Sequence, residues 1–354
     1  MPPKSNGASK RLYLFHFSEE AKKSITIVNP PMKRAFFIVF LFHFGTFFAQ
    51  EESIDFNNVI GINTDNDALV AWENRDRYYT FGIGASLSFK ARKLLGLQNW
   101  FSSKKTVFYT AGLRMEGYTP TNKVVTVLQR EGDSIITFDR PFAGLFFGTL
   151  ETTYGFERSF FKTGILMGII GPSSGAGRLQ RWIHDNVTDD GVFDGWRYQV
   201  PDQFILNFSG DFIYDFTPEA SWFDIYGGAK ARLGNLYIDA SPVVGFRIGR
   251  FNNIGATAAF GNGLLAAKTD WELYLRSSFS ANVAFFNATA QGRLFGPDFE
   301  YAVDKLNPFF LTMTQGIYFA YRRIILGFDH YFSYGEVIKK QRHIYARLDF
   351  KYRF

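Results

Sequence analysis

Three histidines follow residue 50 of the 354-residue chain, and His184 has the setting best suited to an imidazole acting as a general base. It ends the run Gly171-Pro172-Ser173-Ser174-Gly175-Ala176-Gly177-Arg178-Leu179-Gln180-Arg181-Trp182-Ile183-His184. The glycine-rich half reads as the approach to a short helix over 178–185. On that helix Leu179, Trp182 and Ile183 form an apolar stripe able to dock on a barrel rim. Gln180 and His184, four residues apart, share an adjacent face. A single histidine on a loop helix more often serves packing than catalysis, so the spacing nominates His184 without deciding its role. His330 and His343 fall near strand ends, where a solvated or headgroup-facing ring is the ordinary reading.

A second cluster, Asn63-Thr64-Asp65-Asn66-Asp67, brings amide and carboxylate oxygens together, the hard donors that suit Ca²⁺. The same residue types also build tight turns, and composition alone favours the turn. Arg75-Asp76-Arg77-Tyr78-Tyr79-Thr80 follows, and strict alternation along that strand points Thr80 into the interior below the loop. A third segment joins Tyr118-Thr119-Pro120 to Asp139-Arg140-Pro141-Phe142-Ala143-Gly144. There Arg140 can hold a phosphate or pair with Asp139 at a rim.

The elements that must position these residues are strands. Period-two alternation runs through most of the chain after residue 50. At the C-terminus Ile344, Ala346, Leu348, Phe350, Tyr352 and Phe354 fall on one face, while Tyr345, Arg347, Asp349, Lys351 and Arg353 fall on the other. Charged residues on one face of so many strands need a wet or hydrogen-bonded interior, which a closed barrel supplies without an exposed edge. The pattern predicts an all-β protein, a transmembrane antiparallel β-barrel of about twelve strands with a short helix in an extracellular loop. The strands are expected near 54–66, 78–90, 105–117, 142–157, 161–171, 204–216, 220–231, 235–250, 270–286, 309–320, 322–334 and 343–354. With both termini periplasmic, the long connections at 118–141, 172–203 and 287–308 face outward, and the turns at 158–160, 217–219 and Tyr321 face the periplasm. Connections at 91–104 and 251–269 are longer than this asymmetry expects. All three chemistry-bearing segments reach the outer end.

Composition agrees. Aromatic residues make up 19% of the chain, yet mean hydropathy is −0.09, which suits strands with one lipid face and one polar face and does not suit helical spans. There is no cysteine, which excludes disulfides, thiolate metal sites and a cysteine nucleophile. The net charge of +6 is spread out with no basic stripe, so nucleic acid is not an expected partner. Residues 32–50 read as a cleavable signal peptide: Lys33-Arg34, then an apolar stretch from Ala35 to Ala49. Residues 1–31 read as a mis-assigned start or an N-terminal extension, and 51–354 as the barrel.

These segments resemble the LpxR-type lipid A 3-O-deacylases of Gram-negative outer membranes. The likeness rests on Asn66-Asp67, on Asp76 to Gly82, on Tyr118-Thr119-Pro120 with Asp139 to Gly144, and on the Gly171-Pro172 to His184 run continuing into Gly195-Trp196-Arg197-Tyr198-Gln199. The Gly-Pro…Gln…His…Gly-Trp…Gln string is the most specific part. The resemblance implies a twelve-stranded barrel with its site between the outer wall and a loop helix. It also implies Ca²⁺-dependent hydrolysis of the 3-linked acyloxyacyl ester of lipid A. Carried over by position, His184 is the general base, Gln180 its helix neighbour, Thr80 an active-site hydroxyl, and Asn66 and Asp67 the metal-side pair. Lys123 and Arg140 are alternative cations for the substrate. The sequence departs from the family at Val200-Pro201-Asp202-Gln203 and at Ala68, which leaves the rest of the Ca²⁺ shell open, with Asp189, Asp190 and Asp194 as spares. The expected partners are lipopolysaccharide and outer-membrane lipid, with the protein a monomer. An outer-membrane phospholipase using the same His and Ca²⁺, and a non-catalytic pore or structural barrel, are the competing functions.

Overall fold

The computed structural model describes residues 56–70, 78–91, 94–121, 126–130, 133–188, 194–217, 222–263, 271–303, 306–336 and 342–354. The signal peptide expected at 32–50, the segment 1–31, Arg75 to Arg77, Lys123, Asp189 and Asp190 lie outside the described residues.

Twelve antiparallel strands close into a barrel: β1 (Asn58–Asn66), β2 (Tyr78–Phe89), β3 (Thr106–Thr119), β6 (Ala143–Gly155), β7 (Ser159–Ile170), β8 (Gln203–Asp215), β9 (Phe223–Gly234), β10 (Tyr237–Arg250), β11 (Trp271–Asn287), β12 (Phe309–Tyr321), β13 (Ile324–Tyr334) and β14 (Arg342–Arg353). Strands β4 (Thr126–Arg130) and β5 (Asp133–Thr137) form a separate hairpin inside the β3–β6 connection. The seam is β1 against β14, closed at its foot by reciprocal bonds of 2.9 Å between Asn58 and Phe354. The alternation expected from sequence sets the two faces. Ile60, Ile62, Ile83, Leu87, Leu113, Phe350 and Leu348 are exposed on the outer surface, where lipid would cover them. The interior carries paired charges instead: Arg347 and Arg114 converge on Asp65, and Arg276 meets Asp329 at 2.8 Å. Pairing is what makes charge tolerable there, because an isolated buried ion costs several kcal/mol.

The long 251–269 connection has an unexpected use. Its described part, 251–263, folds into the barrel at the end that carries Asn57 and Phe354. Ile254 packs among the inward residues Phe160, Ile213, Tyr226 and Val243, and Ala258 among Tyr274, Tyr318 and Ile325. The Glu272 carboxylate accepts from the backbone N–H of Asn252 (2.6 Å) and of Ala258 (3.0 Å), tying the segment to β11. Lys162 donates to the Phe260 carbonyl at 3.1 Å from β7. One loop thus touches inward faces on both sides of the cylinder. Above it the lumen opens into chambers of about 450 and 500 Å³.

Two helices lie at the opposite end: α1 (Ala176–Ile183) in the β7–β8 connection, and the single turn α2 (Ala288–Gln291) after β11. The turn is capped by Asn287, whose side chain accepts from the N–H of Thr289 at 3.0 Å.

Candidate active site on the outer wall

The cluster Asn63 to Asp67 is divided by the pleat of β1. Asn63 and Asp65 face inward, where Asp65 is fully buried and accepts from Tyr79 Oη at 2.6 Å and from Arg347 Nε at 2.7 Å. Those bonds commit Asp65 to the interior network. Asn66, one position on, takes the other face, and Asp67 begins the 3-10 turn Asp67–Leu69 with 4% exposure.

Thr80 departs from strict alternation. The register of β2 against β3 shifts between Tyr79 and Phe81: Tyr79 pairs with Tyr118, Phe81 with Gly117, and Thr80 is the extra residue. Such a bulge places two successive side chains on one side of the sheet. Tyr79 reaches inward to Asp65, whereas Thr80 meets the hydroxyl of Thr119 at 2.7 Å. Thr119 shares its face with Gly117 and Met115, the lipid side of β3. The expectation that Thr80 points into the lumen is therefore corrected: an inserted residue turns it to the outer wall.

Helix α1 is laid on that wall. Ala176 packs with Phe81, Phe142 and Trp196, and Leu179 joins the same cluster. Close approach depends on glycine at two points. A Cβ on Gly144 of β6 would sit 2.5 Å from Ser174 Oγ and 2.8 Å from the Ala176 Cβ, and one on Gly177 would sit 2.8 Å from the Trp196 ring. The chain reaches the helix through Gly175 at φ 77°, a left-handed conformation that glycine adopts without strain. Asp202, in the segment that departs from the family pattern, anchors the preceding turn by accepting from Ser173 N at 2.8 Å and Ser173 Oγ at 2.7 Å. Val200 is fully buried and its N–H bonds the Phe142 carbonyl at 2.9 Å.

Of the apolar stripe expected on α1 only Leu179 joins the packed cluster, and the most buried positions include polar ones. Trp182 is 56% exposed, and the buried residues Ala176, Gln180 and His184 are spaced by four. Gln180 is 3% and His184 8% exposed. Burying an amide costs roughly 1–3 kcal/mol unless it is bonded, and Trp196 Nε1 donates to Gln180 Oε1 at 2.6 Å. That bond fixes the amide orientation and directs the two Nε2 hydrogens elsewhere; Nε2 has no protein hydrogen-bond partner among the described residues. His184 is the C-cap, where the backbone relaxes into a π-type turn over His184–Thr188.

Contacts thus join three of the segments nominated by sequence. Asn66 lies opposite Phe81 in the β1–β2 ladder, Phe81 supports Ala176 and Leu179, and Thr80 is held by Thr119. Arg140 is placed differently. It is fully buried, donates to Thr289 Oγ1 of α2, and lies 4.3 Å over the inward-facing Tyr118 ring. Asp139 accepts from Thr121 N at 2.9 Å rather than pairing with Arg140.

Sequence reasoning missed two residues. Trp196 was visible as part of a motif, but nothing in the spacing showed that its indole orients Gln180. His343 was read as solvated, yet it is 4% exposed and inward-facing, and its Nε2 lies 3.2 Å from the Tyr79 N–H. Glu336, in the turn after β13, approaches His343 Nδ1 at 3.7 Å. Burial alone would raise the Glu336 carboxyl; the neighbouring His343 ring, with help from the Arg140 guanidinium, outweighs it and holds the group below the usual carboxylate range.

The comparisons agree with this architecture. Residues 35–354 match the family model described as outer membrane protein LpxR. Among solved structures, LpxR from Salmonella typhimurium aligns with a TM-score of 0.65 at 16% identity, covering 84% of this chain and 100% of that one. The β domain of the Bordetella autotransporter BrkA aligns at 0.41 and 11% identity, covering 85% and 100%, too distant to carry an argument. No curated protein matches by sequence. With the match spanning the whole closed barrel and the α1 segment laid against it, the chain belongs to the LpxR family of outer-membrane proteins.

Proposed function

We propose that this chain is an outer-membrane ester hydrolase that removes the 3-linked acyloxyacyl chain of lipid A, working from the cell-surface end of the barrel. The observation that supports the reading is a helix packed through Ala176 and Leu179 with Phe81, the β2 neighbour of Thr80, while its Gln180 and His184 are buried, in a chain of the LpxR family. A site on the outside of the cylinder meets its substrate within the leaflet, so the acyl chain need not leave the membrane. One closed chain carries every residue named, so a monomer suffices.

In this mechanism His184 takes a proton from water as the water oxygen attacks the ester carbonyl carbon. The imidazolium then returns the proton to the departing alkoxide oxygen, yielding a free fatty acid and a 3-hydroxyl. Gln180, held through Oε1 by Trp196, offers its Nε2 hydrogens to the substrate's developing negative oxygen. Thr80, set by Thr119, adds a hydroxyl at the same wall.

The donors of Asn66 and Asp67 are hard oxygens and fit Ca²⁺. Among the described residues no group of three or more His, Cys, Asp or Glu is placed to hold a metal, and Asp189 and Asp190 lie outside them, so further carboxylate, backbone, water or substrate oxygens would complete the shell. Bound there, Ca²⁺ supplies a Lewis acid for the ester carbonyl. Arg140, on the lumen side, serves in this reading to hold its connection over the mouth, which leaves Lys123 as the cation for a lipid A phosphate.

Mass spectra of lipid A from cells with and without the gene test the proposal. The expected result is loss of one 3-acyloxyacyl unit when the protein is present. Unchanged lipid A with accumulating lysophospholipid would assign the same machinery to glycerophospholipid instead.

A further inference from the structure

At the top of the closed barrel the β1 ladder ends before its two neighbours do. That strand pairs with β14 only as far as Asn66 opposite Ala346, and with β2 only as far as Phe81. Beyond those points β2 continues back to Tyr78 and β14 to Arg342, and among the described residues the turn Asp67–Leu69, not a strand, lies against both. The Tyr79 N–H, within the bulge, therefore has no ladder partner on the β1 side, and a buried N–H must find one elsewhere. It donates to His343 Nε2 of β14 at 3.2 Å. The backbone here is also unusual, with Tyr78 at φ 59°, a conformation rare for a bulky residue. The Tyr78 ring meets the His343 ring edge-on at 5.8 Å.

We propose that His343 is a positioning residue: its Nε2 bridges β14 to the Tyr79 N–H over the end of β1 and so fixes the bulge that turns Thr80 to the outer wall. The Glu336 carboxylate on the Nδ1 side favours the tautomer with the hydrogen on Nδ1, which leaves Nε2 bare to accept. The other tautomer would present an N–H to the Tyr79 N–H and could bond only the Tyr79 carbonyl, 3.4 Å away. His343 touches neither Thr80 nor α1 in any of these contacts, and its effect passes through the Tyr79 backbone. The inference rests on the proposed deacylase reading for its consequence in activity, but not for the bridge itself.

The test compares His343→Leu, which removes the acceptor, with His343→Gln, whose Oε1 can reach the position of Nε2. Folding is monitored by the shift of the unheated band on gels. Hydrogen exchange of the peptide covering 78–81 and ester release from lipid A are measured on the purified proteins. Expected are a folded His343→Leu barrel with exchange of the Tyr79 amide at least tenfold faster and kcat at least tenfold lower at little-changed KM. His343→Gln restores both to within about threefold. Wild-type exchange and kcat in His343→Leu, or a His343→Gln protein as impaired as His343→Leu, would overturn the inference. If His343→Leu does not fold, His343→Asn, whose shorter amide stops short of Tyr79, replaces it under the same criteria. If the wild-type protein releases no ester while exchange follows the expected order, the deacylase reading fails and the bridge stands.

Discussion

At the scale of single residues, the site is governed by how polar groups are held once they are buried. Gln180 would be an expensive passenger on a buried helix face without Trp196, whose indole takes one end of the amide and leaves the other for a substrate. Trp196→Phe keeps the packing against Phe142 and Ala176 but deletes the donor. The loss of one neutral hydrogen bond at a buried group is worth about 1–1.5 kcal/mol. Ester release should fall about tenfold while the barrel remains folded, a difference read from initial rates of the purified variant. His184, Gln180, Asn66 and Asp67 could be nominated from sequence because their types and order follow the family pattern. The direction of Thr80 was not legible, because alternation assumes an unbroken register and a one-residue insertion reverses the face. His343 was equally hidden: its partner is a backbone N–H 264 positions away, and no local pattern encodes that.

At the scale of elements, the strands were readable because each has a lipid face and an interior face with opposite demands. The twelve expected segments all appear, within a few residues, as the twelve barrel strands. The β4–β5 hairpin was not anticipated. It forms a two-stranded sheet of its own rather than part of the barrel ladder. The helix was foreseen in place but not in orientation. Of the apolar stripe expected to dock, Leu179 packs in the cluster on the wall, whereas Trp182 is exposed and the polar Gln180 and His184 are buried. The seat of that helix is Gly144. Gly144→Val puts branched carbon where Ser174 and Ala176 now lie, so α1 must lift off the wall. The expected outcome is a closed, heat-modifiable barrel with ester release reduced by 100-fold or more. A Gly144→Val protein with wild-type rate would show that helix seating is not required.

At the scale of the whole molecule, the barrel is a scaffold with a filled foot. The segment 251–263 contacts inward residues of β7 through β13, and β1 and β3 through Ala256 beside Val59 and Phe108. Sequence showed only that this connection was too long for a turn; it could not show that the excess folds inward, because its small and apolar residues carry no strand period. The account predicts negligible single-channel conductance in planar bilayers, and a measurable current once 253–262 are replaced by a short Gly-Ser linker. Comparable conductance in both proteins would mean that the loop does not seal the lumen. Sealing and catalysis are separable here, since the proposed site lies outside the cylinder. The most direct measurement of the central claim is therefore ester release from purified lipid A by the wild-type barrel and by His184→Ala, each with Ca²⁺ and with excess chelator. The account predicts a 3-linked acyl product only from wild type with Ca²⁺, the variant remaining folded and inactive. Undiminished release by His184→Ala would contradict it.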